Sequence, residues 1–221
     1  GGAGDFRVVS PEVVPRPDGG WRMYFECCPG PQSLASTVRS AISVDGLDWV
    51  LEPGERLAGP AGFNSPRLVY LADGRCRLYC GAQGQGIASA ISEDGGKTFA
   101  LEEGLRIRPG KGYDAMTAFA PEVLPIRGGA YRMYYAGYSA SNRAYVLSAS
   151  SADGLHWRKD DKPVIAPGGC WDGAKCSEMC VVELPGKAQG YRMFYEACDG
   201  TAINERGVWR ILSATAVDTE V

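Results

Sequence analysis

The sequence has one histidine, no long apolar run and no excess of basic residues, and each absence excludes a class of protein. A Ser-His-Asp catalytic set would have to use His156, which lies in a turn-like segment. No apolar run reaches the ~18 residues that a membrane-spanning helix needs. The formal net charge of -3 does not suit nucleic-acid binding, which requires a clustered basic surface. We therefore expect neither a nucleic acid nor a membrane as partner.

Helices and nucleotide-binding loops are also missing from the pattern. No window shows apolar residues at a 3.6-residue spacing with helix caps at its ends. The glycine-rich "GAQGQG" at residues 81–86 lies between two strand-like runs, so it is predicted as a hairpin loop and not as a phosphate loop. We therefore expect no bound cofactor.

The eight cysteines indicate reduced thiols and not a disulfide framework. Cys27, Cys28, Cys80 and Cys198 lie in or just after apolar strand-like runs, where cysteine usually behaves as a small buried apolar residue. The loop with Cys170, Cys176 and Cys180 matches no common zinc spacing. We expect no metal site, and the thiols together with the absence of a signal-peptide pattern predict a cytoplasmic location.

One pattern occurs four times along the chain. In each copy a charged residue follows a Pro or Ser, then come an apolar run, a turn with Gly, and an Arg-bearing aromatic strand such as "WRMYFE" or "YRMYYAG". The charged residues are Glu12, Arg67, Glu122 and Glu178, spaced 55, 55 and 56 residues apart. The recurring Arg22, Arg77, Arg132 and Arg192 favour a scaffold role, such as bonding the turn of a neighbouring repeat.

Each repeat continues into a third strand, an Asp-Gly turn and a short fourth segment. The turns read "SVDGLDW", "SEDGGKTF" and "SADGLHW", and the middle one has the form called an Asp box. The Asp can accept backbone N–H bonds and the Gly can adopt a positive φ, so Asp45, Asp94, Asp153 and His156 are predicted to be structural. Four short strands in a repeat of about 50 residues predict an all-β fold, a β-propeller with one repeat per blade.

The repeats fill the sequence and predict a single domain over residues 1–221. Their approximate bounds are residues 10–58, 59–110, 111–167 and 168–221. The last repeat lacks a fourth strand, and "FRVV" near the N-terminus resembles the missing segment. We therefore expect residues 5–9 to complete the last blade and to close a four-bladed propeller, since closure removes exposed sheet edges.

The combination "SPEVV…GGWRMYFE…SAISVDGLDW" resembles the glycosidase-like β-propeller superfamily, which includes arabinanases, invertases, levansucrases and mannoside phosphorylases. The resemblance covers nearly the whole chain. It implies blades whose first strands line a central funnel with catalytic carboxylates, which map here to Glu12, Glu122 and Glu178. The relatives have five blades and usually Asp at these positions, whereas this chain has four repeats with three Glu and Arg67.

Further candidates precede the inner strands. Asp114 and Asp172 each follow an aromatic residue, Tyr113 or Trp171, and an aromatic beside a carboxylate suits a sugar, whose C–H face stacks on the ring. Asn64 stands at the corresponding place in the second repeat. Each Asp can equally be a turn or strand cap. The alternative for the inner-strand ring is a structural set in which Arg67 neutralises the glutamates, although convergence of polar residues at a channel mouth favours a ligand site.

Three functions remain open from the sequence. The first is a glycoside hydrolase-like enzyme with Glu122 or Glu178 as general acid and Glu12 or Asp114 as base, in which Arg67, Asp172, Tyr113, Trp171 and Asn64 bind substrate. The second is a non-catalytic, lectin-like propeller that binds a glycan. The third is an enzyme of another class that acts on a non-sugar small molecule in the funnel. The substrate and the oligomeric state stay open.

Overall fold

The computed structural model describes residues 6–30, 35–60, 62–184, 190–200 and 207–217. Within these ranges the chain forms fifteen β-strands and a short 3-10 turn at Arg127–Gly129, with no α-helix. The prediction of an all-β fold is therefore confirmed. No helix in the described part of the chain is long and apolar enough to cross a membrane.

The first two repeats form one four-stranded sheet each. The first sheet has the order β1 (Arg7–Pro15), β2 (Trp21–Cys28), β3 (Thr37–Ser43) and β4 (Val50–Leu51). The second has the order β5 (Phe63–Tyr70), β6 (Cys76–Ala82), β7 (Gly86–Ser92) and β8 (Ala100–Leu101). All neighbouring strands in both sheets are antiparallel.

The remaining strands belong to one larger sheet. They are β9 (Thr117–Pro125), β10 (Tyr131–Ala140), β11 (Arg143–Ser151), β12 (Arg158–Lys159), β13 (Lys175–Glu183), β14 (Gly190–Cys198) and β15 (Trp209–Val217). Their order is β15-β14-β13-β11-β10-β9, and β12 pairs with β11. A parallel pairing of Ala144 with Lys175 joins β11 to β13.

The chain divides into two compact units, which are described separately below. The first unit contains the residues up to Arg108 together with Phe119–Pro125, and the second contains Pro109–Ala118 and the residues from Ile126 onward. Apolar side chains of the first two sheets, among them Tyr24, Val38, Leu68 and Leu78, form the core of the first unit. The single domain with its repeat bounds stays a prediction.

The Asp-Gly turns are held by their own side chains. In the second repeat, the Ser92 hydroxyl donates to Asp94 Oδ1 at 2.8 Å and accepts the backbone N–H of Gly96 at 2.9 Å. Asp94 also accepts backbone N–H groups from Lys97 and Thr98. Ser43 with Asp45 and Ser151 with Asp153 make matching bonds. These carboxylates are engaged in turn geometry, as their spacing in the sequence indicates.

The recurring arginines link strands and turns. Arg22, Arg77 and Arg132 each pair with an acid that follows the short fourth strand, namely Glu52, Glu102 and Asp160. Arg22 also donates to the carbonyl of Gly95 at 2.5 Å, in the turn of the second repeat. For Arg22, the expected bond to the turn of a neighbouring repeat is therefore present.

The prediction that residues 5–9 complete the last sheet is wrong for Phe6–Val9; Asp5 lies outside the described residues. Arg7, Val8 and Val9 begin β1 and pair with Cys28, Cys27 and Glu26. A bulge between Val9 and Glu12 lets β1 continue, so "FRVV" extends an inner strand and is not a separate outer one. Among the strands of the described ranges no sheet closes, and the number of blades stays a prediction.

Candidate active site

The inner strands carry a backbone distortion at the same place in three repeats. Among the described residues, Ser10, Ser65 and Ala120 are the non-glycine residues with positive φ, at 53°, 47° and 49°. Each stands directly before the Pro that precedes a charged residue. In the first two repeats, this is the position where a bulge shifts the strand register. Residues other than glycine adopt this conformation at an energetic cost, and such bulges commonly redirect side chains near functional sites.

In the first unit, the distorted strands bring Glu12, Arg67 and Glu122 together. Arg67 Nε lies 2.7 Å from Glu122 Oε2 and 3.7 Å from Glu12 Oε2. The Arg67 guanidinium is also held by its own backbone, because its Nη1 donates to the Pro66 carbonyl at 2.8 Å. Glu122 is 8% exposed, and Glu12 is half-buried. Two carboxylates thus share one guanidinium nitrogen in a partly dehydrated cluster.

The two carboxylates of this cluster are not equivalent. Burial raises the pKa of Glu12 to about 7; Arg67 opposes this rise, while the Glu122 charge adds to it. Arg67 lies farther from Glu12 than from Glu122, so its charge lowers the pKa of Glu12 by less than burial raises it. Glu12 therefore exchanges a proton near neutral pH. The neighbouring Glu122 is the carboxylate in direct contact with Arg67.

A second polar layer lies on the same face of these sheets. On β2, Tyr24 pairs with Glu12 of β1, and Glu26 pairs with Val9. Because Tyr24 and Glu26 are two residues apart, their side chains lie on the same face, which is the face of Glu12. Glu26 is 4% exposed, and its Oε1 accepts bonds from the Cys28 thiol and the Ser36 hydroxyl, both at 2.9 Å. Glu26 is therefore a buried acid whose hydrogen-bond donors come from the chain itself.

In the second unit, Asp114 is buried and fully engaged. It is 3% exposed, and its Oδ2 lies 2.5 Å from Lys159 Nζ and accepts the Tyr135 hydroxyl at 3.2 Å. Its Oδ1 accepts the backbone N–H of Gly110 at 3.1 Å. Burial and then the Asp114 charge raise the pKa of Tyr135 above its usual range, so this tyrosine stays a hydroxyl donor.

Asp172 has a looser environment in the same unit. Its Oδ1 accepts the backbone N–H of Gly169 at 2.7 Å, and its Oδ2 lies 3.5 Å from the Tyr195 hydroxyl and 3.6 Å from Cys176 Sγ. Burial and then Asp172 raise the pKa of the Cys176 thiol to about 12. This cysteine is therefore a neutral donor and not a thiolate nucleophile.

The remaining candidates lie at the surface of the second unit. Tyr113 is 43% exposed and packs edge-on against Tyr145, with ring centroids 4.8 Å apart. Trp171 is 55% exposed, and the Arg210 guanidinium lies 4.7 Å from its ring centroid. Glu178 is exposed beside the bulge of β13. In the described part of the chain no group of three or more His, Cys, Asp or Glu could hold a metal ion.

Sequence reasoning did not identify Tyr135, Tyr195 and Lys159 as neighbours of the loop acids. The two tyrosines had a detectable signal, because each stands three residues after a recurring arginine, Arg132 or Arg192, and each contacts the Asp that precedes its own inner strand. No sequence signal pointed to Lys159, because β12, the fourth strand that carries it, is only two residues long.

No protein-family model and no curated protein sequence matches the chain, whereas many solved structures do. An N-acetylgalactosamine deacetylase from F. plautii superposes with a TM-score of 0.71 at 18% identity, covering 96% of this chain and 72% of that one. An exo-1,5-α-L-arabinanase from a bovine ruminal metagenomic library gives a TM-score of 0.67 at 14% identity, with 96% and 77% covered.

A fructofuranosidase from Schwanniomyces occidentalis matches 95% of this chain with a TM-score of 0.70 at 15% identity, although the chain spans only 43% of that protein. The chain shares the propeller fold of glycoside hydrolases such as the arabinanase and the fructofuranosidase. At such identities the similarity concerns the fold, so the chemistry has to be argued from the residues themselves.

Proposed function

We propose that this chain is a carbohydrate-active enzyme of the glycoside hydrolase type, with Glu12, Arg67 and Glu122 at its reactive centre. The observation that supports this most strongly is the unequal pair of carboxyls on one arginine. Glycoside hydrolysis needs one carboxyl that carries a proton at working pH and a second that is ionised.

Glu12 fits the role of the general acid. With a pKa near 7 it retains a large share of its proton at neutral pH, and it can donate that proton to the leaving oxygen of a glycosidic bond. Glu122, ion-paired with Arg67 at 2.7 Å, supplies the carboxylate that stabilises positive charge on the sugar or activates water. This reverses the order expected from the sequence, where Glu12 was a candidate base and Glu122 a candidate acid.

The other candidate residues take supporting positions in this proposal. Asp114 already accepts from Lys159, Tyr135 and a backbone N–H, so we assign it to holding its loop and not to proton transfer. The exposed rings of Tyr113 and Trp171 are proposed to stack on sugar rings, with Asp172 accepting from a hydroxyl. Glu178 stays a candidate for substrate contact.

A lectin-like propeller is the second candidate, and the surface aromatics favour it. Trp171 presents more than half of its surface beside Arg210 and Asp172, a combination that binds a sugar without any chemistry. In that case the ion pairs of Arg67 with the two glutamates would only hold the strands together. The third candidate is an enzyme of another class that acts on a non-sugar small molecule, since a shared fold does not fix the reaction.

The test is turnover of an aryl-glycoside panel by Glu12→Gln and Glu122→Gln variants of the full chain. Each should lower kcat by about 10²–10⁴-fold, because each removes a proton donor or a charge used in the transition state. Glu103→Gln, which changes an exposed carboxyl, is the matched control and should keep full activity. Full activity in both test variants would contradict the assignment, and glycan binding without turnover by the unaltered chain would support the lectin.

A further inference from the structure

An open groove lies at the end of the third repeat where its hairpin turn meets its Asp-Gly turn. The groove has a volume of about 520 Å³, and small-molecule sites commonly measure roughly 300–1,000 Å³. Its described lining residues all belong to the second unit. They include Ile126 and Tyr131 from the turn between β9 and β10, Ser150 from β11, and His156, Trp157 and Arg158 from the segment that leads into β12.

Aromatic and aliphatic side chains form the apolar part of this groove. Trp157 is half-buried, and its Nε1 donates to the Gly154 carbonyl at 3.0 Å, so the indole is fixed and offers carbon surface to a ligand. Tyr131 is also half-buried, and Ile126 is 38% exposed. Fixed aromatic surface that a ligand can reach suits the C–H face of a sugar ring.

Two exposed polar side chains flank Trp157 in the sequence and line the groove with it. The His156 side chain is 89% exposed, and its Nδ1 lies 2.7 Å from Asp153 Oδ2. Nε2 is therefore the imidazole nitrogen that can meet a ligand. Arg158 is exposed at the first position of β12. The groove thus offers a guanidinium and one oriented imidazole beside its aromatic surface.

The other repeats show that the turn requires neither of these two residues. The three short fourth strands pair in the same register, and Arg158 stands where the others have Val50 and Ala100. His156 stands where the second repeat has Thr98, whose hydroxyl donates to the Asp of that turn at 2.7 Å. The turn therefore forms with Val or Ala and with Thr at these places, so its geometry does not explain a guanidinium and an imidazole there.

The chemistry of these two side chains indicates the class of ligand. A guanidinium binds a carboxylate through two parallel N–H···O bonds. The acids nearby in the sequence are engaged elsewhere, because Asp153 accepts the backbone N–H of Leu155 at 2.8 Å and Asp160 pairs with Arg132. A sugar hydroxyl can both donate and accept, so it suits an imidazole nitrogen in either protonation state.

We propose that this groove binds a uronate, a sugar ring that carries a carboxylate. The ring stacks on Tyr131 and Trp157. The carboxylate pairs with Arg158, and a ring hydroxyl bonds to His156 Nε2. This site goes beyond the proposed function, because it is a second place for a glycan that needs no turnover and uses no residue of the reactive centre.

The test is calorimetric titration of the full chain with trisaccharides that end in glucuronate or galacturonate, and with their methyl esters, which lack only the charge. The unaltered chain should bind at least one acid about 10-fold or more tightly than its ester. Arg158→Ala should weaken binding of that acid by about 10- to 100-fold and remove the preference, the usual effect of a lost charged hydrogen bond. His156→Thr should weaken binding by about 3- to 10-fold, as expected for one neutral hydrogen bond.

The design separates binding from folding. Both variants carry the residues that the second repeat has at these positions, so we expect both to keep the Tm of the unaltered chain. Lys162→Ala, which removes an exposed cation close in sequence, is the matched control and should bind like the unaltered chain. Turnover of aryl-glycosides by Arg158→Ala should also be unchanged, because no residue of the reactive centre is altered.

The possible outcomes distinguish this site from the proposed enzyme. Uronate binding that depends on Arg158, in a chain without turnover, would keep the groove and remove the enzyme. Absence of binding by every acid, or an Arg158→Ala variant that still prefers the acid to its ester, would overturn the groove whatever the turnover. Equally tight binding of a short poly-glutamate peptide would indicate a general carboxylate site and would overturn the assignment to a sugar.

Discussion

The buried acids of the two units differ in how many cations and hydrogen-bond donors contact each carboxylate. In the first unit, Glu12 and Glu122 share Arg67. In the second, the single carboxylate of Asp114 contacts Lys159, the Tyr135 hydroxyl and a backbone N–H. An excess of carboxylates over cations leaves one proton exchangeable near neutral pH, whereas an excess of donors fixes a single carboxylate. The ratio of acids to donors therefore distinguishes a site suited to proton transfer from one suited to holding a loop.

Removal of Asp114 should have the largest effect on stability. Asp114→Ala removes the acceptor of one ion pair to Lys159 and one hydrogen bond from the Tyr135 hydroxyl, and we expect the free energy of unfolding to fall by about 2–3 kcal/mol. Urea unfolding at pH 7 measures this. Asp161→Ala, at an exposed acid nearby in sequence, should change stability by less than about 0.5 kcal/mol. Equal effects of the two substitutions would show that Asp114 is not a structural anchor.

Removal of Arg67 should reveal the excess of negative charge in the first unit. In Arg67→Met the two carboxylates lose their shared cation, so the pKa of Glu12 should rise further above its normal value. We expect a loss of about 2 kcal/mol at pH 8 and a smaller loss at pH 5, where Glu12 is protonated in the folded state. Urea unfolding at the two pH values checks this, and a loss independent of pH would argue against charge as its cause.

Glu12 should also impose a pH dependence on the unaltered chain. Its pKa is raised when folded, so between about pH 4.5 and about pH 7 the folded state binds more protons than the unfolded state, and stability falls as pH rises. We expect Glu12 to contribute a decrease of about 2 kcal/mol across this window, somewhat below what the full shift gives because its side chain is partly exposed. Unfolding of Glu12→Gln over the same range supplies the reference, and parallel curves for the two proteins would contradict the shift.

Tyr135→Phe should have the smallest effect. It removes one 3.2 Å hydrogen bond and leaves Asp114 with Lys159 and the Gly110 N–H, so we expect a loss of about 1 kcal/mol. Activity on the aryl-glycoside panel should stay within about twofold, because the bond lies in the loop-holding region. A large loss of turnover with little loss of stability would transfer the catalytic role to the second unit.

The spacing of the repeats predicted the positions in the first unit well, for a physical reason. Glu12, Arg67 and Glu122 each follow a Pro on an inner strand, and in all three repeats the residue before that Pro has a positive φ, so equivalent residues occupy equivalent places. The sequence could not rank the two glutamates, because that depends on which oxygen lies nearer Arg67 and on how deeply each is buried.

The wrong prediction for the N-terminal strand and the missed neighbours of Asp114 both depend on three-dimensional contacts that local sequence pattern does not encode. "FRVV" near the N-terminus fits an outer strand by its letters, but the bulge before Glu12 let Arg7–Val9 extend the inner strand instead. The neighbours of Asp114 depend on how its loop folds back on β10 and on the two-residue strand β12, and apolar alternation carries no information about that. Local pattern thus located the strands, while the loop contacts required the fold.

The most direct measurement is a site-resolved titration of the Glu12 carboxyl by ¹³C NMR, in the unaltered chain and in Glu122→Gln. We predict a pKa of about 7 in the unaltered chain and a lower value in the variant, because the like charge that helps to raise it is gone. A value near the ordinary glutamate pKa of about 4.3, unaffected by Glu122→Gln, would contradict the proposal that two carboxyls on one arginine form the proton-transfer centre.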